Sequence, residues 1–228
     1  MNDTTAPASD LLTVDVVSDV VCPWCYIGKR RLEGALAAPA RAGQVREVRW
    51  HPFQLNPDIP AEGVDRRTYL EDKFGGPERA REIYARVEAA GREVGIAFDF
   101  EAIHRQPNTV DAHRLIAWVQ AVAPERADAL VERLFNAYFT EGVNIGTVEA
   151  LVRLAGEAGC DRAAAAAYLA SDAGREAVAA ADERMKSMGI GGVPFFIFNG
   201  RLAVSGAQPS EVLADAIAQA ETLQPLVP

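Results

Sequence analysis

The sequence predicts an α/β protein with a βαβ unit at its start, a ββα unit at its end and a large all-helical insertion between them. Three observations carry that prediction. Residues 11–53 read as strand, helix, strand; residues 66–187 show almost only helical periodicity; and from Pro194 a strand hairpin and a helix follow. The two ends can share one sheet only if the helices between them are inserted. The expected units are therefore 11–63 with 189–224 as one discontinuous domain, and 64–188 as a helical subdomain.

Leu11 to Ser18 is short and rich in Leu and Val, the signature of a buried strand. A helix is expected from about Trp24 to Ala38, with Ile27, Leu32 and Leu36 on one side and Pro39 as its stop. In Val45 to Phe53, Val48 and Trp50 alternate with Arg49 and His51, which predicts a second strand. Strand, helix, strand over so short a span implies parallel pairing and a right-handed crossover.

In the middle, Leu130, Val131, Leu134, Phe135, Tyr138 and Phe139 mark one buried helix face, and Ala80, Ile83, Tyr84, Val87 and Val94 a second. Val110 to Val122 is apolar nearly all round, as in a deeply buried helix. Thr147 is placed to cap a helix that ends before Gly159. Ala163 to Ala167 reads as a small-residue helix, since alanine is the best helix former. Pro194 to Asn199 is a strand, Asn199-Gly200 a two-residue hairpin turn, Leu202 to Ser205 the returning strand, and Gln208 to Leu223 a final helix.

Composition is that of a globular chain, with 49% hydrophobic and 24% charged residues. A net charge of −9 disfavours a nucleic-acid or anionic-membrane partner. No apolar run is long enough to span a bilayer. Met1 to Asp10 lacks the basic and apolar regions of a secretory signal, so it reads as a short tail and the expected location is cytoplasmic.

The chemistry concentrates in Cys22-Pro23-Trp24-Cys25, between the first strand and the first helix. Proline suits the first helical position, because its missing N–H would be unpaired there anyway. That makes Cys22 the N-cap and Cys25 the third helical residue. A sulfur at the cap meets free N–H groups and the positive end of the helix dipole, both of which favour the thiolate. Cys25 is expected beneath it and less exposed. A structural zinc site needs four ligands. Cys160 and the scattered His51, His104 and His113 supply no second pair, so no metal is expected. In this context the motif reads as a redox-active dithiol that needs no other cofactor.

Neighbouring residues have plainer readings beside the functional ones. Trp24 is either an apolar lip for a substrate or a cover for Cys25. Lys29, Arg30 and Arg31 could steady a thiolate, but such a run in a helix usually forms a solvated face. Asp19 would oppose a nearby thiolate, or else cap a turn. Asn108 and Thr109 are placed to cap the buried helix. His113, on its first turn, reads as a core histidine, or as part of a pocket if that end faces the cysteines. Cys160 reads as a small buried hydrophobe. Pro194 opens a strand, and on peptide-bond energetics alone Val193–Pro194 is expected trans, since only about 5–6% of such bonds are cis.

SDVVCPWCYIGKRRLE, NTVDAHRLIAW, LFNAYFTEGVNIG and GIGGVPFFIFNGRLAVSGAQP together resemble the DsbA-like thioredoxin superfamily, and its FrnE-type branch most closely. The resemblance runs from about Leu11 to Leu223. It implies a thioredoxin-like fold with a helical insertion, Cys22 as nucleophile and Cys25 as resolving thiol. It also implies a cis Val193–Pro194 bond facing the cysteines. Substrate contacts are then expected from Pro23, Trp24, Val193 and Pro194, with Asn108 and His113 at the nearby helix start. The additional cysteine pair of some FrnE-type proteins is not present.

The implied activity is disulfide exchange or isomerisation with protein, peptide or small-thiol partners, glutathione among them, by a monomer or a homodimer. Kappa-class glutathione transferases and 2-hydroxychromene-2-carboxylate isomerases are a neighbouring branch with serine in place of Cys22. A glutathione-dependent reaction of their type is the enzymatic alternative. A thioredoxin-fold binding or chaperone module is the non-catalytic one.

Overall fold

The computed structural model describes residues 12–38 and 46–223. The expected N-terminal tail and the helix stop at Pro39 lie outside them. Strand β1 (Leu12–Ser18), helix α1 (Pro23–Leu36) and strand β2 (Arg46–Pro52) form the first unit. Strand β1 pairs parallel to β2, with Val16 opposite Trp50. After the insertion, β5 (Phe195–Phe198) and β6 (Leu202–Ser205) form a hairpin, and α9 (Ser210–Thr222) follows. Strand β5 pairs antiparallel to β1, with Val16 opposite Phe196, so the sheet order is β2-β1-β5-β6. The two ends of the chain thus share one sheet.

The hairpin turn has φ of 52° at Asn199 and 62° at Gly200. Two successive left-handed residues are what a tight turn matched to strand twist requires, hence Asn-Gly. Strand β2 is a sheet edge, and a side chain from the helix Val110–Val122 covers it. The Trp50 N–H donates to Gln120 Oε1 at 2.6 Å, and the Trp50 carbonyl accepts from Gln120 Nε2 at 2.9 Å. One amide side chain thereby replaces the missing neighbour strand and blunts the edge.

Between β2 and β5 lie helices α2 (Arg66–Phe74), α3 (Pro77–Glu93), α4 (Val110–Val122), α5 (Pro124–Glu141), α6 (Val148–Glu157), α7 (Arg162–Ala170) and α8 (Arg175–Ser187). Six residues of α5 form the face expected from their spacing, and Leu130, Val131, Leu134, Phe135, Tyr138 and Phe139 are all buried. Thr147 Oγ1 accepts from the Ala150 N–H at 3.3 Å and caps α6. In the alanine helix only Ala165 and Leu169 are buried, so that segment lies on the surface over α6. One feature has no sequence counterpart: β3 (Val64–Asp65) and β4 (Arg105–Gln106) form a ladder two residues long, too short to leave an alternating pattern.

The insertion covers the cysteine end of α1. Tyr26 stacks on Phe135 of α5 with ring centroids 5.1 Å apart, and meets Phe98 edge-on at 6.2 Å. One continuous core joins Val14 and Val16 of the sheet, Ile27 of α1, and Leu134 and Phe139 of α5. On the other sheet face, Val17 packs with Phe53, Met185 and Ile190, which holds α8 against the strands. Alternation along β1 explains why Val16 and Val17 join different clusters.

Candidate active site at the start of helix α1

Cys22 is the N-cap of α1 with extended backbone (φ −95°, ψ 112°), and Pro23 follows at the first helical position. Cys22 and Cys25 are both buried, at 5% and 2% exposure, and are free thiols. The order of exposure is the expected one. The capping contact is not: the Cys22 sulfur makes no cap hydrogen bond to the first turn. Its thiol lies instead 3.7 Å from the Val193 carbonyl, to which it donates. A protonated thiol is a donor, and the free N–H groups of a helix start offer it nothing to donate to.

The inner thiol sits in a different environment. Burial pushes the Cys25 thiol well above its ordinary range, and the hydrogen-bonded Cys22 adds to the rise. The Ser18 hydroxyl and the Asp19 backbone pull more weakly in the other direction. A thiol that holds its proton is a poor attacker.

The Val193–Pro194 bond is cis, which corrects the expectation from peptide energetics and agrees with the resemblance. Gly28, one turn beyond Cys25, makes room for it. A Cβ at Gly28 would lie 2.8 Å from Pro194 Cγ and 3.1 Å from Phe196 Cζ. This glycine was not singled out from the sequence. Its signal was there, since a glycine inside a helix costs about 1 kcal/mol relative to alanine and therefore asks for a packing reason. Trp24, between the two cysteines in sequence, is 38% exposed.

Asp19 is fully buried three residues before Cys22. Its Oδ2 accepts from the Leu55 N–H at 2.9 Å, and its Oδ1 lies 3.4 Å from His113 Nε2. The start of α4 thus does face the cysteine end. His113 is 4% exposed, and at 3.4 Å neither its Nε2 nor Asp19 Oδ1 has a hydrogen-bond partner, so the two buried groups face each other without the bond that a satisfied core histidine would make. Asn108 spends its side chain locally: Nδ2 donates to the Ile59 carbonyl at 2.6 Å, and Oδ1 accepts from the Val110 N–H at 3.0 Å. Its place is behind the helix start, and Thr109 is the N-cap.

The charge run corrects another expectation. Lys29 is 2% exposed, not solvated. Its Nζ lies 3.2 Å from Asp128 and 3.1 Å from Glu132, both on α5, and also pairs with Glu33. Three carboxylates around one buried ammonium raise the lysine pKa despite burial, which acts the other way. The lysine ties α1 to the insertion. Arg31 is bound to the Ala207 carbonyl and to Glu93 at 3.4 Å. Cys160 is half-buried at the α6–α7 junction. Among the described residues no cluster suited to a metal ion is present.

A two-cysteine helix start on this sheet, with a cis proline opposite, defines a thioredoxin-fold dithiol protein. The chain belongs to the DSBA-like thioredoxin domain family, whose model matches residues 13–218. It is 34% identical to a probable DsbA oxidoreductase from Streptomyces coelicolor, with 95% of this chain and 93% of that one covered and a TM-score of 0.83. It is 28% identical to the uncharacterized protein YwbO of Bacillus subtilis over 90% of this chain and 94% of that protein. The cytosolic disulfide reductase DsbM of Pseudomonas aeruginosa, solved with GSH, shares the fold at 17% identity and a TM-score of 0.60, over 92% and 95% of the two chains.

Proposed function

We propose that this protein is a thiol–disulfide oxidoreductase that exchanges disulfides with protein or small-thiol substrates through Cys22 and Cys25. The observation that carries the reading is the unequal pair: Cys22 at the N-cap position of α1 beside the Val193 carbonyl, and the more deeply buried Cys25, whose thiol pKa burial pushes up. The Cys22 thiolate attacks a substrate disulfide and expels one substrate sulfur as a thiolate. Cys25 then loses its proton and attacks Cys22, which releases the second substrate thiolate. Two electrons pass to the substrate, and the protein is left with a Cys22–Cys25 disulfide. The same steps in reverse oxidise a dithiol.

Trp24, Pro23, Val193 and Pro194 form the substrate-facing rim in this reading, while Asn108 and His113 support the helix start behind it. Membership of the DSBA-like family supports the reaction class. A DsbM structure with GSH supports glutathione as a co-substrate and, by its cytosolic setting, a cytoplasmic place of work. The cysteine at position 22 weighs against a kappa-class transferase or isomerase. The deciding assay is reduction of insulin by dithiothreitol, alongside oxidation of a dithiol peptide, with wild type and Cys22→Ser. Turnover lost in Cys22→Ser is expected. A wild type inert in both assays would leave a binding or chaperone module.

A further inference from the structure

Buried polar atoms in a folded protein are almost always paired, so several unpaired ones in one place ask for a reason. Such a group lies where β1 runs into the cysteine turn. A small cavity of about 10 Å³ is walled in part by Ser18, Trp50 and His113. All three residues are buried, and Ser18 Oγ, Trp50 Nε1 and His113 Nε2 each lack a hydrogen-bond partner. Asp19 Oδ1 is unpaired as well, 3.4 Å from His113 Nε2. The volume is on the scale of one water molecule, and a hydroxyl, an indole N–H and an imidazole nitrogen are the kind of partners such a water needs.

The backbone ties this place to the dithiol. The Cys22 N–H donates to the Asp19 carbonyl at 3.0 Å, and the Cys25 N–H donates to the Cys22 carbonyl at 3.0 Å. Two consecutive turns thus carry the chain from Asp19 to the inner thiol. Ser18 interacts with the Cys25 sulfur and also walls the cavity, so it borders both. Resolution of a mixed disulfide needs the Cys25 thiolate, which a buried thiol forms only when a base takes its proton. The other charged or titratable groups facing His113 and Asp19, among the described residues, are engaged. His51, on the same cavity wall, is bound to Asp15 at 2.7 Å. The Tyr138 hydroxyl of α5, with Arg66 beside it, donates to the Arg105 carbonyl at 3.3 Å. Asp182 of α8 accepts from the Gln54 N–H and pairs with Lys186 at 2.7 Å. Cys22 is itself held in the mixed disulfide at this stage. Asp19 Oδ2 accepts from the Leu55 N–H, and its Oδ1 is left facing His113. A buried carboxylate is costly without a counter-charge, and a proton arriving on His113 supplies one.

Resting on the thiol–disulfide reading above, we infer that His113, paired with Asp19, is the base for the resolving step and takes the Cys25 proton through a water held by Ser18 and Trp50. The helical insertion then supplies part of the chemistry as well as a cover for the dithiol. In the step, Cys25 gives its proton to the water, which passes one of its own to His113 Nε2. The Cys25 thiolate attacks Cys22, the Cys22–Cys25 bond forms, and the bond from Cys22 to the substrate sulfur breaks. The substrate sulfur leaves with the electron pair as a thiolate. The imidazolium is stabilised by the Asp19 carboxylate until its proton returns through the water to the thiolate or to solvent.

The test uses dithiobis(2-nitrobenzoate) with reduced protein in a Cys160→Ser background, by stopped flow. The first thionitrobenzoate leaves when Cys22 attacks the reagent, and the second leaves when Cys25 resolves the adduct, so the two steps are read separately. His113→Gln should slow the second release about a hundredfold and leave the first within about twofold. Asp19→Asn, which keeps an acceptor for the Leu55 N–H, should slow the second about tenfold. The double variant should be no slower than His113→Gln, because the two residues act as a unit. In each variant the second release should climb about tenfold per pH unit as hydroxide takes over the proton, while wild type levels off. A merely structural role would slow both releases and give no such slope, and that result overturns the inference. So does an unchanged second release in folded His113→Gln. Should that variant not fold, wild type decides. Its second release should fall in acid with the midpoint at which the His113 imidazole nitrogens titrate, by NMR, in Cys25→Ser protein carrying thionitrobenzoate on Cys22. Midpoints that differ overturn the role of His113 and leave the exchange reading intact. A wild type that releases no thionitrobenzoate ends the exchange reading and the relay with it.

Discussion

Gly28 and Pro194 meet across the site so closely that no side chain fits between them: a Cβ on Gly28 would stand 2.8 Å from Pro194 Cγ. The helix that carries the cysteines and the loop that carries the cis proline are thus held in register by the absence of one methyl group. Gly28→Ala tests this. On helix propensity alone, alanine should add about 1 kcal/mol of stability. Overpacking against Pro194 and Phe196 should instead cost about 1–3 kcal/mol. The expected net result in denaturant unfolding is a loss, with slower exchange as Pro194 moves away from Cys22. A variant more stable than wild type would show that the contact is not tight.

Cys25→Ser should leave attack by Cys22 intact and remove the resolving step. Incubation with a peptide disulfide should accumulate a covalent mixed disulfide on Cys22, visible as added mass that reductant removes. Rapid turnover without such an adduct would mean that resolution does not pass through Cys25.

The large features of this fold were legible because each left a repeating signal. The α5 face needed only the spacing of Leu130, Leu134, Tyr138 and their neighbours, and the β5–β6 turn needed only Asn199-Gly200. The site was legible in part. Its cysteines announced themselves by lying between a strand and a helix, but the state of each depends on groups distant in sequence. The Val193 carbonyl that receives the Cys22 thiol lies 171 residues away. Lys29 looked solvated because its partners on α5 follow about a hundred residues later, and a charge run gives no hint that carboxylates await it.

Lys29→Met keeps most of the buried volume and removes the cation. Asp128, Glu132 and Glu33 then lose their shared partner, and their mutual repulsion is no longer offset. Breaking a fully buried pair costs about 3–5 kcal/mol. These carboxylates are partly exposed, so solvent screens the effect, and a loss of about 1–3 kcal/mol is expected. Unfolding in added salt should narrow the gap to wild type. An unchanged midpoint would mean that Lys29 is held by packing of its stem alone.

The raised pKa of Cys25 has a definite consequence for stability in the reduced protein. Burial, with the Cys22 contact adding to it, makes the folded state keep the Cys25 proton where the unfolded chain releases it. The unfolded thiol titrates near ~8.5. Below that pH both states hold the proton, and the stabilising contribution is complete. Above it the unfolded chain binds fewer protons than the folded one, so stability falls as pH rises, by up to about 1.36 kcal/mol per unit, until the folded thiol also ionises. The comparison is reduced wild type against Cys25→Ser, by denaturant unfolding from neutral pH to about pH 10. Cys22 is present in both, so the difference reports the inner thiol together with its contact to Cys22. Wild type should lose ground steadily above the unfolded pKa, and the oxidised protein should show no such slope because its sulfurs carry no proton. A difference that stays flat, or that grows in favour of wild type, would mean that the inner thiol ionises as readily in the fold as outside it.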